Sequence, residues 1–221
     1  MGKLTARLEE WKKKPFLLRI GLIMTGISIF FIFVGIFVTP YDPEAMDASS
    51  KLAGISFKHI MGCDNFGRDV FSRVLKGSAT TLFIATGTIG IGITGGILIG
   101  AFAGYFGGVL DELLMRINDA ALAFPSVLLA LVLISLFGTG KYQIILSMGI
   151  AFIPSFARIV RGEFIRYREM DYVQQAKLIG AGSFRIMFVH ILPNTFRVLV
   201  SSILIGFNNA VLAEAGLSFL G

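Results

Sequence analysis

The sequence predicts an all-α, polytopic membrane protein, and two observations carry that prediction. The first is composition. Of 221 residues, 55% are apolar and only 15% are charged, with a mean hydropathy of +0.78, whereas soluble domains carry about 25% charged and 45–50% apolar residues. The second is where the charges are missing. Uncharged stretches run over 20–41 (22 residues), 77–110 (34), 120–140 (21), 142–157 (16) and 198–213 (16). A helix rises ~1.5 Å per residue, so crossing ~30 Å of hydrocarbon takes about 20 residues. The first three stretches suffice alone. The last two take in their flanks, where Lys141, Arg158 and Arg197 snorkel to the interface. Five spans follow, at 18–38, 80–104, 119–137, 142–161 and 196–214.

The same figures exclude a disordered chain, a disulfide scaffold and an ordinary cytosolic enzyme. Cys63 is the one cysteine, and His59 and His190 lie far apart in sequence, so no structural zinc cluster and no intrachain disulfide is available. The net charge of +6 suits cytoplasmic anchoring by Lys and Arg rather than nucleic acid.

The chain divides into a basic N-terminal segment (1–17), an N-terminal span (18–38), an outer loop (39–79) and a core region (80–221). The 18–38 span is too long for a signal peptide, and Thr39-Pro40-Tyr41-Asp42-Pro43 offers no small-residue cleavage site. Lys3, Arg7, Lys12, Lys13, Lys14 and Arg19 precede it. Arg158, Arg161, Arg166, Arg168, Lys177 and Arg185 lie between the fourth and fifth spans. Both clusters face the cytoplasm if the N-terminus is inside. In the outer loop Val70, Phe71, Val74 and Leu75 recur at helical spacing, which predicts an interfacial helix over 64–76. Asp64 and Asp69 flank Gly67, but calcium loops need more oxygens at tighter spacing. A capped surface helix beginning near Asp64 is favoured over a weak cation site.

Gly92, Gly96, Gly100, Gly104 and Gly108 recur every fourth residue and make a smooth strip for helix packing. A phosphate loop needs G-x-x-x-x-G-K-[ST]. Around Gly140-Lys141 its first glycine position is Ser135 and its hydroxyl position is Tyr142, so no such loop exists. No nucleophile–base pair or carboxylate pair suggests an enzyme. Asn208, Asn209 and Glu214 on the fifth span line a translocation path or make interhelical hydrogen bonds; polar groups in membranes take one of these roles.

The 162–194 segment is the most informative. Tyr172, Ala176 and Ile179, with Val173 beside them, fall on one face of a short helix. Gly180 and Gly182 break it. A second helix runs over 183–190, and Pro193 precedes the last span. Two short helices joined by glycine make a stiff elbow, or a helix pair lying in the headgroup layer.

The pattern Gln174-Gln175-Ala176 followed by Gly180, then Ile191-Leu192-Pro193, resembles the EAA loop of ABC importer permeases. Asp171-Tyr172-Val173, His190-Ile191-Leu192-Pro193-Asn194, Pro40-Tyr41-Asp42-Pro43, Gly62-Cys63-Asp64-Asn65-Phe66-Gly67-Arg68-Asp69-Val70-Phe71-Ser72-Arg73 and Glu214-Ala215-Gly216-Leu217-Ser218-Phe219-Leu220-Gly221 are together similar to the second permease subunit of dipeptide, oligopeptide and nickel importers. Three departures stand out. Gln174-Gln175 replaces Glu-Ala, and Cys63 stands where threonine is usual. The family also continues past Gly221 into a sixth span, so the resemblance implies a chain truncated before its last transmembrane helix.

The resemblance implies a type I ABC importer bundle in the plasma or inner membrane, non-catalytic itself and importing peptides, nickel or a related small solute. It implies two cytoplasmic ATPases carrying ATP and Mg, a partner permease forming a heterodimer, and an extracytoplasmic binding protein received near the outer loop. This chain itself binds no cofactor. The 168–193 elbow would enter a cleft on the ATPase, with Tyr172, Val173, Gln174, Gln175, Ala176, Leu178, Ile179, Gly180, Ala181, Ile191, Leu192 and Pro193 as its residues, and Val173, Leu178 and Ile179 as apolar anchors. A membrane scaffold or inactive remnant is the alternative, followed by an ATP-independent carrier or channel. Secondary carriers often show internal repeats and midplane charges; neither is visible here.

Overall fold

The computed structural model describes residues 15–220. The basic residues from Lys3 to Lys14, and Gly221, lie outside it. Among the described residues all regular structure is helical: α1 (Phe16–Phe37), α2 (Val70–Phe106), α3 (Gly108–Leu122), α4 (Ser126–Phe137), α5 (Lys141–Arg168), α6 (Asp171–Leu178) and α7 (Leu192–Leu220). Contacts divide the chain into two compact units, one up to Leu82 and one from Phe83 onward.

Four helical stretches are long and apolar enough to cross a membrane: Phe16–Phe37, Val70–Phe106, Lys141–Arg168 and Ser183–Phe219. The span expected over 119–137 is instead two helices, α3 and α4, bent by 90°. Pro125 explains the break. It has no N–H to continue α3, and its ring drives Phe124 out of the helical region. It then precedes α4 as its cap. The bent pair is the fifth candidate crossing.

The interfacial helix expected over 64–76 is not a separate element. Val70–Lys76 forms the first turns of α2. Gly77, the residue that follows, costs about 1 kcal/mol relative to alanine and does not stop a helix already capped. The cap is Asp69 rather than Asp64: its Oδ2 accepts the Ser72 N–H at 2.8 Å, the bond that satisfies a free donor of the first turn.

The last span also starts earlier than expected. A turn at Ser183–Arg185 leads into a π-helical segment, Ile186–Ile191, which runs directly into α7. Pro193 is therefore the second residue of α7. Here the Leu192 N–H reaches back five residues to the Met187 carbonyl. The wider turn lies immediately before the proline, where a regular α-turn would press its ring against a backbone carbonyl.

In the first unit, α1 is apolar on every face beyond Arg19 in its first turn and buries only Gly35, which packs against the Leu75 backbone. Phe31 meets Phe71 edge-on at 6.3 Å. The connecting loop is a set of turns organised by three aspartates. Asp47 accepts the Ser49 and Ser50 hydroxyls at 2.6 and 2.7 Å. Asp64 accepts the Phe66 and Arg68 N–H groups and the Arg68 guanidinium at 2.9, 3.0 and 2.8 Å. Its oxygens thus hold a turn closed, and no group of three or more metal-ligating side chains occurs among the described residues. Asp69 Oδ1 lies 2.9 Å from Nδ1 of buried His59. Gly67, at φ +76°, passes against the Asp47 carbonyl, where a side chain has no room.

All three carboxyls titrate below the ordinary value. The Ser49 and Ser50 bonds lower Asp47 from 3.8 to about 2. Burial raises Asp64 and Asp69, but hydrogen bonds outweigh it: Arg68 and Phe66 for Asp64, Ser72 and His59 for Asp69. A carboxyl with a depressed folded pKa stabilises the fold above its unfolded pKa and loses that contribution as pH falls through the folded one. The 39–69 loop is therefore expected to hold from neutral pH down to about 4 and to loosen as pH falls toward 2. Digestion with pepsin between about pH 4 and 2, scaled at each pH to its cleavage of an unfolded control peptide, should cut within 42–69 increasingly as pH falls. Unchanged resistance down to the lower limit would contradict the account.

Candidate functional site: a helix ladder, an elbow and a polar groove

Four of the five recurring glycines face α5. A β-carbon on Gly92 would meet Phe152 at 3.1 Å, and one on Gly96 would collide with Phe156. On Gly100 it would meet the Ala157 carbonyl at 2.5 Å and Val160 at 2.7 Å, and on Gly104 the Arg161 carbonyl and Phe164, each at 2.7 Å. Both series climb by four residues together, so α2 and α5 run parallel, the glycine strip of one receiving the Phe152, Phe156, Val160, Phe164 ridge of the other. Small-residue strips let helix backbones approach in this way. Gly108 is not part of the ladder. It opens α3 at φ +58°, and a β-carbon there would meet nothing within 4 Å. The four-residue spacing continues past the end of α2 by coincidence of the turn.

Polar contacts fix α3 on the same helix. Arg161 makes a two-pronged pair with Asp111 at 2.5 and 2.6 Å. Arg158 pairs with Asp119 at 2.6 Å, and Asn118 Nδ2 donates to the Pro154 carbonyl at 3.1 Å. At the end of α5, Arg168 donates to the Gly104 and Tyr105 carbonyls at 3.2 and 3.3 Å. It satisfies the last carbonyls of α2, where a cation is also favoured by the helix dipole.

The elbow grows from this end. Asp171 in the first turn and Lys177 in the last match the dipole of α6. Its stop is set by two hydrogen bonds, Ala181 N–H to the Ala176 carbonyl and Gly180 N–H to the Lys177 carbonyl, each 3.0 Å. This is the Schellman arrangement, which needs a left-handed residue between helix and exit. Gly180 supplies it at φ +81°.

The elbow's residues divide sharply. Val173 is fully buried and Ala176 nearly so, packed with Ala101, Tyr105, Val160, Phe164, Ile186, Met187, Ile191 and Leu199. Val173 therefore cannot serve as an apolar anchor for a partner, as the sequence suggested; it is part of this chain's own core. Leu178 and Ile179 are 88% and 86% exposed, and Gln174, Gln175 and Gly180 are exposed with them. Tyr172 is at the margin: its hydroxyl lies 3.4 Å from both the His190 carbonyl and Asn194 Nδ2. Burial pushes its pKa up, so it stays a donor at neutral pH. Asn194 Nδ2 also bonds the His190 carbonyl at 2.6 Å, and Tyr167 reaches the Asn194 carbonyl at 3.0 Å. These contacts tie α6 to the π-helical segment. Ala181 and Leu192 are half-buried and Pro193 is exposed.

A groove of about 400 Å³ opens between α4, α5 and α7. Its polar lining is Ser126, Ser155, Ser202 and Asn209, its apolar lining includes Phe152, Phe156 and Ile159, and no charged side chain lines it. Of the three path residues expected, Asn209 lines the groove, whereas exposed Asn208 and half-buried Glu214 do not. The direction of a helical side chain decides this, since neighbours in sequence point about 100° apart. The serines went unremarked in the sequence. Ser202 was findable, lying seven residues, two turns, before Asn209.

Comparison with known proteins places this architecture. The sequence profile of the family described as binding-protein-dependent transport system inner membrane component matches residues 96–221. The chain belongs to this family. As a member it is a permease subunit of an ABC importer. It is 37% identical to the dipeptide transport system permease protein DppC of Alkalihalophilus pseudofirmus over 216 residues, 95% of this chain and 69% of that relative. It is 38% identical to a putative peptide transport system permease protein of Brucella suis biovar 1 over 218 residues, 99% and 72% of the two chains. The glutathione transport system permease protein GsiD of Pectobacterium atrosepticum is 35% identical over 186 residues, 84% and 62%.

In this permease the glycine ladder is expected to be a packing requirement that depends on position. Gly96→Val should destabilise the detergent-solubilised protein by about 1–3 kcal/mol, the cost of overpacking, read as a lower thermal midpoint. Gly90→Val, on the same helix but with open space around it, should change the midpoint far less. Equal effects would show that helix propensity, not α5, sets the cost.

Proposed function

We propose that this permease imports peptides, forms half of the translocation path, and couples to a cytoplasmic ATPase through the 168–193 elbow. One observation carries the coupling role: Leu178 and Ile179 stand exposed on a short helix whose other face is locked into the ends of α2, α5 and α7. A lever needs a grip that is free and a shaft that is fixed, and these are the two faces of α6. ATP and Mg are then bound and used on partner subunits. Motion of the elbow is passed to α5 through Val160 and Phe164, and along α5 to the groove at Phe152, Ser155 and Phe156.

The peptide cargo is supported by what the relatives are named for: dipeptides, peptides and glutathione. The groove suits such a solute. Hydroxyl and amide groups can exchange hydrogen bonds with a peptide backbone, and the absence of charge avoids trapping a passing ion pair. The groove is open, which supports a second permease closing it. With the N-terminus inside, the elbow and its Lys and Arg residues lie on the cytoplasmic side, the 39–69 loop faces outward, and an extracytoplasmic binding protein delivers the solute there.

The test is co-purification of this chain with its ATPases and partner permease, together with peptide uptake in reconstituted vesicles. Leu178→Asp and Ile179→Asp alter only exposed side chains, so they should leave insertion and folding intact. Each is expected to weaken ATPase retention by about 30-fold, the loss of one interface anchor of about 2 kcal/mol. Gly180→Val forces a β-branched residue into the left-handed region at a cost of order 1–2 kcal/mol and should uncouple ATP hydrolysis from uptake. Full retention and uptake in all three would refute the coupling role.

A further inference from the structure

The 39–69 loop holds a set of apolar side chains in the open. Ile55 is 83% exposed and Phe57 completely so, with Leu52, Ile60 and Met61 also exposed nearby. The backbone bearing them is tightly built. The Ser56 N–H donates to the His59 carbonyl at 2.9 Å, and the Ser56 hydroxyl accepts the His59 N–H at 3.1 Å. This closes a turn with Phe57 and Lys58 at its tip. His59 anchors the turn from beneath. It is buried, paired with Asp69 at 2.9 Å, with its ring 4.9 Å from that of Tyr41. An ordered turn that offers an aromatic ring to water forgoes about 25 cal/mol for each Å² of apolar surface left uncovered.

Position says what covers it. Asp69 caps α2, and two residues later Phe71 meets the Phe31 ring. Phe31 lies six residues before the end of α1, about 9 Å along its axis. The turn is thus moored near the apolar end of a membrane helix, where the headgroup layer begins. Lys51 and Lys58 bracket Ile55 and Phe57 in sequence. Of the loop's carboxylates, Asp64 is paired with Arg68, Asp69 is held by His59 and Ser72, and Asp47 by Ser49 and Ser50, while Asp42 and Glu44 lie outside the turn, well before Phe57 in the chain. Apolar tips beside lysines, moored through Asp69 and Phe71 to α1, match an anionic lipid surface.

We propose that the 55–61 turn is a lipid anchor: Ile55 and Phe57 enter the boundary between headgroups and acyl chains, and Lys51 and Lys58 meet anionic headgroups. It holds the outer end of α1 and the start of α2 at a fixed depth in the bilayer.

The experiment uses the whole chain in lipid vesicles. Trp11 is the only tryptophan, so Trp11→Phe with Phe57→Trp gives one reporter at the tip, and Trp11→Phe with Ile55→Trp gives a second. In vesicles containing phosphatidylglycerol, both reporters should emit blue-shifted light. Bromine atoms placed high on the acyl chains should quench them, and iodide in the water should not. Lys51→Glu with Lys58→Glu should reduce the bromine quenching in anionic vesicles and leave it unchanged in neutral phosphatidylcholine. Red-shifted emission quenched by iodide at both positions overturns the proposal. A blue shift that arises only when the extracytoplasmic binding protein is added also overturns it, and assigns the surface to that protein instead.

Discussion

The parallel contact between α2 and α5 governs the arrangement of everything from Phe83 onward. Because Gly92, Gly96, Gly100 and Gly104 carry no side chains, the Phe156 and Val160 side chains of α5 sit on the backbone of α2. In lipid there is little hydrophobic drive between helices, so van der Waals fit of this kind is a principal source of association. The remaining elements are placed from that pair. Asp111 and Asp119 dock α3 on α5, Arg168 closes the end of α2, and α6 packs on the residues where the two long helices end.

Phe156 links the regions. Its ring lies against Gly92, a β-carbon added to Gly206 would also strike it, and it lines the groove. A displacement of α5 relative to α7 therefore changes the groove directly. The stiffness of the path from elbow to groove comes from packing that leaves Val160, Phe164 and Val173 no exposed surface, since close-packed interiors transmit displacement rather than absorb it.

Much of this was legible in the sequence. Charge-free stretches marked where helices run, because charge in hydrocarbon is costly. The glycine period marked the packed face of α2, because helical periodicity and spacing are the same quantity. The elbow's stop at Gly180 was legible because only a residue tolerant of positive φ completes that turn. Three features were not. The 90° break at Pro125 was hidden by the surrounding hydropathy, which responds to composition and not to a missing N–H. The helix start at Val70 depended on Asp69 serving as cap, and Asp64 carries the same side chain five residues away. The inward turn of Val173 depended on Ala101, Tyr105 and Phe164, residues distant in sequence, so no local pattern separated it from Leu178 and Ile179.

The division within α6 has a consequence for how such subunits change partners. Folding constrains Val173, Ala176 and Gly180, and Gln174 donates to the Arg168 carbonyl at the end of α5, while Gln175, Leu178 and Ile179 face outward and leave the chain's own core untouched. One short helix and its exit thus carry two separable texts, one addressed to the rest of the permease and one to whatever lies beyond it. The second can be rewritten without editing the first. A gene duplicate could in this way drift toward a different motor through a handful of surface exchanges, its membrane architecture unaltered throughout.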